Sequence, residues 1–142
     1  MNFSQLVFKA MMSICWRQSK GRIPFIEPFG EDIFDAAVSV ESLHHFPKEE
    51  KISLYNKLRN ALKKGGYFVL TDYFAEHDEQ ELFCGQELLR LRKEQNLRDD
   101  VFYHYDTPLT VEHEKEALIT AGFTSVEVIG HWGATYTLKA TK

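Results

Sequence analysis

The sequence predicts an α/β fold with a parallel pair of central strands and an antiparallel hairpin at its C-terminal end. Residues 34–40 (FDAAVSV) and 67–71 (YFVLT) are nearly continuous apolar runs, the pattern of strands covered on both faces. Between them lies a complete amphipathic helical pattern, long enough for the crossover that parallel neighbours require. Two β-rich runs, 125–132 and 134–141, part at Gly133, the spacing of a hairpin.

Taken in order, residues 4–18 place Leu6, Ala10 and Ile14 on one stripe behind Ser4, which predicts an amphipathic helix with a serine N-cap. Residues 23–27 read as a short strand demoted towards an edge by Pro24, because proline removes a ladder donor. From Pro47 to Lys64 the helix signals agree: proline first, Glu49 and Glu50 at the positive end, Lys63 and Lys64 at the negative end, then Gly65-Gly66 as the stop. Ile52, Tyr55, Leu58 and Leu62 share its apolar face. A second long helix is expected over 77–96, apolar at Leu82, Phe83, Leu88, Leu89 and Leu91 and weakened at Gly85. An aromatic stretch, 101–106, follows, and Thr110 then caps a helix over 111–121 that stops at Gly122.

The chain of 142 residues suits a single domain, and 44% hydrophobic with 27% charged residues is ordinary globular composition. A net charge of -4 supplies no basic footprint, so no nucleic-acid partner is expected. No apolar run reaches the roughly 20 residues of a membrane span, and the N-terminal stretch lacks signal-peptide grammar. Cys15 and Cys84 are far apart without CxxC spacing, which favours free thiols in a reducing compartment, hence the cytoplasm.

With these elements in place, the ordered motifs resemble the second half of a Rossmann-like (class I) S-adenosylmethionine-dependent methyltransferase. The strand and loop Phe34-Asp35-Ala-Ala-Val38-Ser39-Val40-Glu41-Ser-Leu43-His44-His45-Phe46 match that family's (F/Y)-D-x-(V/A)-x-(S/A/C) strand and its x-x-L-H-H-(L/F) loop. Leu62-Lys63-Lys64-Gly65-Gly66 matches the L-(K/R)-(P/K)-G-G helix end, and Ala121-Gly122-Phe123 the late A-G-F. The resemblance covers residues 22–142 and implies a partial Rossmann-like sheet closing on a hairpin. It departs at the start: the family's acidic-Gly-x-Gly-x-Gly loop and the acidic end of its second strand have no counterpart, while Glu27-Pro28-Phe29-Gly30 stands near the family's adenine turn. The chain is therefore expected to be an N-terminally truncated domain with 1–21 atypical and 22–142 family-like.

The resemblance implies S-adenosylmethionine as cofactor, with its methionine end along the backbone of Ser39 and Val40 and the side chains of Glu41, His44 or His45. Either histidine is equally readable as packing under the following helix. Asp72 and Tyr73, where the second strand opens, are candidates to touch substrate or are a solvated strand end. Tyr103, His104, Tyr105 and Asp106 line an acceptor pocket or form a packed loop, and Tyr73 and His104 are the candidate catalytic groups, since histidine titrates near neutrality. Cys84 has no paired base in the sequence and reads as filler. No metal is expected, because adjacent histidines on a helix diverge by about 100°.

Two functions follow. One is methyl transfer to a small-molecule acceptor; the other is a non-catalytic remnant or interaction module keeping half the fold. If strand 34–40 lacks its usual neighbour, its edge is a template for association, and residues 28–33 are too few for a parallel crossover. A homodimer, or an edge covered by an antiparallel 23–27, is therefore expected.

Overall fold

A computed structural model describes residues 29–99, 101 and 103–142. The expected helix 4–18, the strand 23–27, Glu27-Pro28 and Cys15 lie outside the described residues.

The order is β1 (Phe34–Val40), α1 (Lys48–Ala61), β2 (Leu62–Tyr73), α2 (Asp78–Glu94), α3 (Val111–Thr120), β3 (Ser125–Trp132) and β4 (Thr135–Thr141). Four strands form one sheet in the order β1-β2-β4-β3. β1 and β2 run parallel in the register Val38↔Val69 and Val40↔Thr71, as the crossover reading requires. β4 pairs antiparallel with both β2 and β3, and the hairpin turns at Gly133, whose φ is +58°. Among the described residues β1 pairs with β2 alone.

The core lies on one face of this sheet. Phe68 and Leu70 of β2 and Leu138 and Ala140 of β4 meet Leu54 and Tyr55 of α1 and Ala117 and Leu118 of α3, all buried. Alternation explains the choice, since successive strand residues point to opposite faces. Val69, Thr71, Thr137 and Lys139 occupy the other face and are half-buried. Beneath the core faces of the two helices, Lys51 Nζ meets Glu114 Oε2 at 2.7 Å and Tyr55 Oη donates to Glu114 Oε1, with all three side chains buried.

The end of α1 differs from expectation. The helix stops at Ala61 rather than Lys64, and Leu62 is already extended, at φ -76° and ψ 141°. Leu62 is fully buried and opposite Phe34, so packing against β1 outweighs another helical turn. Between the pairs Phe34↔Leu62 and Ala36↔Tyr67, Asp35 alone faces Lys63, Lys64, Gly65 and Gly66. The double glycine therefore serves a bulge, not a helix stop. Gly65 takes a φ of +76°, and a Cβ on Gly66 would sit 2.8 Å from the Lys63 carbonyl and 3.0 Å from that of Asp35. Lys63, freed from the helix end, pairs with Asp35 at 3.0 Å. Gly66→Ala is expected to cost about 1–3 kcal/mol through that backbone overlap, read as a lower urea midpoint; an unchanged midpoint would disprove the tight contact.

Two other expectations hold with changed detail. Thr110 caps α3, its Oγ1 accepting from His113 N at 3.3 Å, and Gly122 follows at φ +105°. In α2 only Leu88 is buried, while Leu82, Phe83 and Leu89 are 62, 60 and 68% exposed, so the apolar stripe read from the sequence lies largely in the open. Among the described residues no helix is long and apolar enough to cross a membrane.

Candidate functional site

The C-terminal tips of parallel neighbours β1 and β2 lie side by side, the place where open α/β sheets bind ligands. β1 ends in a tight reversal. Glu41 adopts φ +46° and its N–H bonds to the Thr71 carbonyl at 2.8 Å, while Ser42 Oγ donates back to the Val40 carbonyl at 2.7 Å. A non-glycine residue in the left-handed region costs of order 1–3 kcal/mol and persists only where its surroundings fix it.

What fixes this loop is Asp72, the penultimate residue of β2. Its Oδ2 accepts from Leu43 N at 2.8 Å and His44 N at 3.2 Å, and its Oδ1 from Tyr73 N at 2.9 Å. The same Oδ1 lies 2.5 Å from His44 Nδ1. Burial alone would push the Asp72 carboxyl up, but the bonds from His44, Leu43 and Tyr73 outweigh it and hold it below its ordinary value. The Asp72 hydrogen bond, working against burial, holds His44 above its ordinary value. Burial first, then the neighbouring His44 and His104, pushes His45 down.

A second segment closes over the loop. Thr107 N donates to the His44 carbonyl at 2.6 Å, which brings Asp106 Oδ1 to 2.9 Å from His45 Nδ1 and 3.6 Å from His44 Nε2. The His45 ring contacts those of His44 and His104 at 4.0 and 4.1 Å between centroids. Beside this cluster opens a cavity of about 480 Å³ lined by Tyr73, Gln80, Cys84, His104, Tyr105 and Asp106. Tyr73 Oη accepts from Gln80 Nε2 at 3.1 Å, so α2 fixes the phenol at the cavity wall. Burial, with the Asp106 carboxylate nearby, pushes the Cys84 thiol up, and a protonated thiol is a poor nucleophile.

The structure thus gathers Tyr73, His104 and Tyr105 around one cavity and sets His44 and His45 at its edge. Asp72 is placed otherwise than as a cavity group: only 2% exposed, it faces the loop. Tyr103 is drawn away to Gln95, whose Nε2 donates to its Oη at 2.9 Å. Val40 and Glu41 are exposed at the strand tip, whereas Ser39 is buried and its Oγ has no hydrogen-bond partner. Sequence reasoning missed the union of Asp72 with His44 and of Asp106 with both histidines, since neither contact obeys a local spacing. The one available signal for Asp72 was its position at a strand tip beside the loop.

The fold is similar to that of S-adenosylmethionine-dependent methyltransferases. A methyltransferase-domain family model matches residues 9–70. Sterol methyltransferase-like 3 of Botryococcus braunii is 44% identical over 45 residues, which are 32% of this chain and 11% of that protein. The methyltransferase SibL in its apo form superposes with a TM-score of 0.59 at 17% identity, over 83% of this chain and 33% of SibL. Human N-acetylserotonin methyltransferase in complex with S-adenosylmethionine gives 0.58 at 18% identity, over 83% of this chain and 31% of the human enzyme. The chain spans about a third of each of these two structures.

Proposed function

We propose that this chain takes part in S-adenosylmethionine-dependent methyl transfer to a small-molecule acceptor. The observation that carries the reading is the Asp72 clamp, which fixes a reversed loop at the tips of two parallel strands beside a cavity of about 480 Å³, within the range of small-ligand sites. Val40 and Glu41, exposed at the reversal that ends β1, offer the surface along which the cofactor would lie, with His44 and His45 at its end. When bound, the cofactor supplies a methyl group already activated on a sulfonium, so the protein's share of the work is alignment and exclusion of water. Tyr73, Tyr105 and His104 give the cavity two phenols and an imidazole, apolar walls with polar tips that orient an aromatic or hydroxylated acceptor. Tyr73 and His104, both on the cavity wall, are the candidate groups to take up a proton leaving such an acceptor.

Calorimetry of the full chain with S-adenosylhomocysteine tests the reading. Saturable binding is expected, accompanied by a rise in Tm, because a ligand that binds only the folded state stabilises it. Absence of both heat and Tm shift would reject the cofactor site and leave the interaction-module reading. The acceptor class is tested by methyl transfer from radiolabelled cofactor to a panel of phenols and aliphatic alcohols, with Tyr73→Phe as the control for the cavity wall.

A further inference from the structure

We propose that His44 Nε2, His45 Nδ1 and Asp106 Oδ1 form a binding site for a divalent transition-metal ion at the mouth of the cavity. The three donor atoms lie within 4.8 Å of one another, with Asp106 Oδ1 2.9 Å from the His45 nitrogen and 3.6 Å from the His44 nitrogen. An ion held at about 2.0–2.2 Å from nitrogen and oxygen donors needs those donors roughly 3–3.5 Å apart, so the set closes on an ion with small side-chain shifts. The histidines sit in a loop, not on a helix, which removes the divergence that made adjacent histidines poor partners.

Two further features are those of a built site. His44 Nδ1 is engaged by the Asp72 carboxylate at 2.5 Å, so the ring is oriented with Nε2 towards Asp106. A carboxylate behind a histidine is the usual support of a metal-binding imidazole. His45 Nδ1 is buried and has no partner in hydrogen-bonding alignment, although Asp106 is only 2.9 Å away; such an orphan calls for a further partner, and a metal ion satisfies it. Two imidazoles with one carboxylate suit Zn²⁺, Co²⁺, Ni²⁺ or Fe²⁺ and disfavour Mg²⁺ and Ca²⁺, which prefer all-oxygen shells. Three protein ligands leave a coordination position open, and Asp106 also lines the cavity, so a ligand there with a lone pair can complete the shell.

The test is titration of the tag-free full chain with Co²⁺, followed by visible absorption, and with Zn²⁺ by calorimetry. One ion per chain is expected, with the d–d bands of a nitrogen and oxygen shell. Asp106→Asn, at a 59% exposed side chain, and His45→Ala are each expected to weaken binding by about tenfold or more, with unchanged circular dichroism. His131→Gln, on β3, should leave it unaltered. No saturable binding overturns the proposal, as does binding indifferent to both ligand variants, or an intense near-ultraviolet thiolate band placing the ion on a cysteine. None of these readouts needs S-adenosylmethionine, so failure of the metal site and failure of the methyltransferase reading are separate results.

Discussion

Replacing Glu114 by alanine is expected to lower stability by about 3–5 kcal/mol, a fall of roughly 10–20 °C in Tm for a domain of this size. Glu114 and Lys51 are 1 and 2% exposed, and the carboxylate also accepts from Tyr55 Oη. Burial, then Glu114 itself, holds the Tyr55 phenol well above its ordinary value, so it stays protonated and donates. Without Glu114 the Lys51 ammonium is a buried cation with its partner gone, and Tyr55 Oη loses its acceptor. The pair ties α1 to α3, the two helices that cover the core face of the sheet. The double variant Lys51→Met with Glu114→Leu removes both charges and fills the space with apolar groups, and it is expected to cost far less than the sum of the single changes, because desolvation of the pair offsets much of its attraction. Urea unfolding of Lys51→Met, Glu114→Leu and the double variant completes the cycle. A single Glu114→Ala change costing under about 1 kcal/mol would show that water reaches the pair.

The second large effect is expected at Asp72. Asp72→Ala leaves the N–H groups of Leu43, His44 and Tyr73 without their acceptor and releases the His44 ring. Hydrogen bonds to a charged group contribute about 1.5–3 kcal/mol each at most, and losing a buried charged acceptor of several donors is expected to cost about 3–5 kcal/mol in total. The local consequence separates this from a merely softened core. Amide exchange at Leu43 and His44 should accelerate by orders of magnitude more than at Leu70 in the strand, since the loop opens without global unfolding. Equal protection of the loop amides in the variant and the parent would mean that the β1–α1 loop is held by something other than this carboxylate. Binding of S-adenosylhomocysteine is expected to weaken in the same variant, because the strand tip would no longer be fixed.

Several local expectations met the structure with their boundaries nearly intact. Thr110 as cap, the hairpin turning at Gly133, and the parallel pairing of 34–40 with 67–73 all depend on neighbours a few residues apart or on a hydrophobic run that has only one way to be buried. Where competition was between local and distant partners, the reading shifted. Leu62 had the helical spacing of α1 but a better burial site opposite Phe34, and so left the helix. Lys51 lies outside the apolar face read for α1, yet Glu114 from α3 draws it inside. Leu82, Phe83 and Leu89 had the composition of a core stripe, and only packing decided that Leu88 alone would be buried.

The candidate site divides the same way. That the tips of β1 and β2 would lie side by side follows from sequence order, since a strand, helix and strand in that arrangement must bring the ends of the two strands together. Tyr73 and His104 were nameable because their chemistry is evident in isolation, and both line the cavity.

The amino-acid order alone therefore determined the parallel pairing of β1 with β2 and the closing hairpin of β3 and β4, because apolar periodicity, caps and glycine turns act over a few residues. Only tertiary structure decided that Asp72 would turn beneath the loop to hold His44, that Glu114 would meet Lys51, and that Asp106 would come to lie against two histidines. Those contacts join residues remote along the chain, and their energies exist only once the sheet and helices have set the distances.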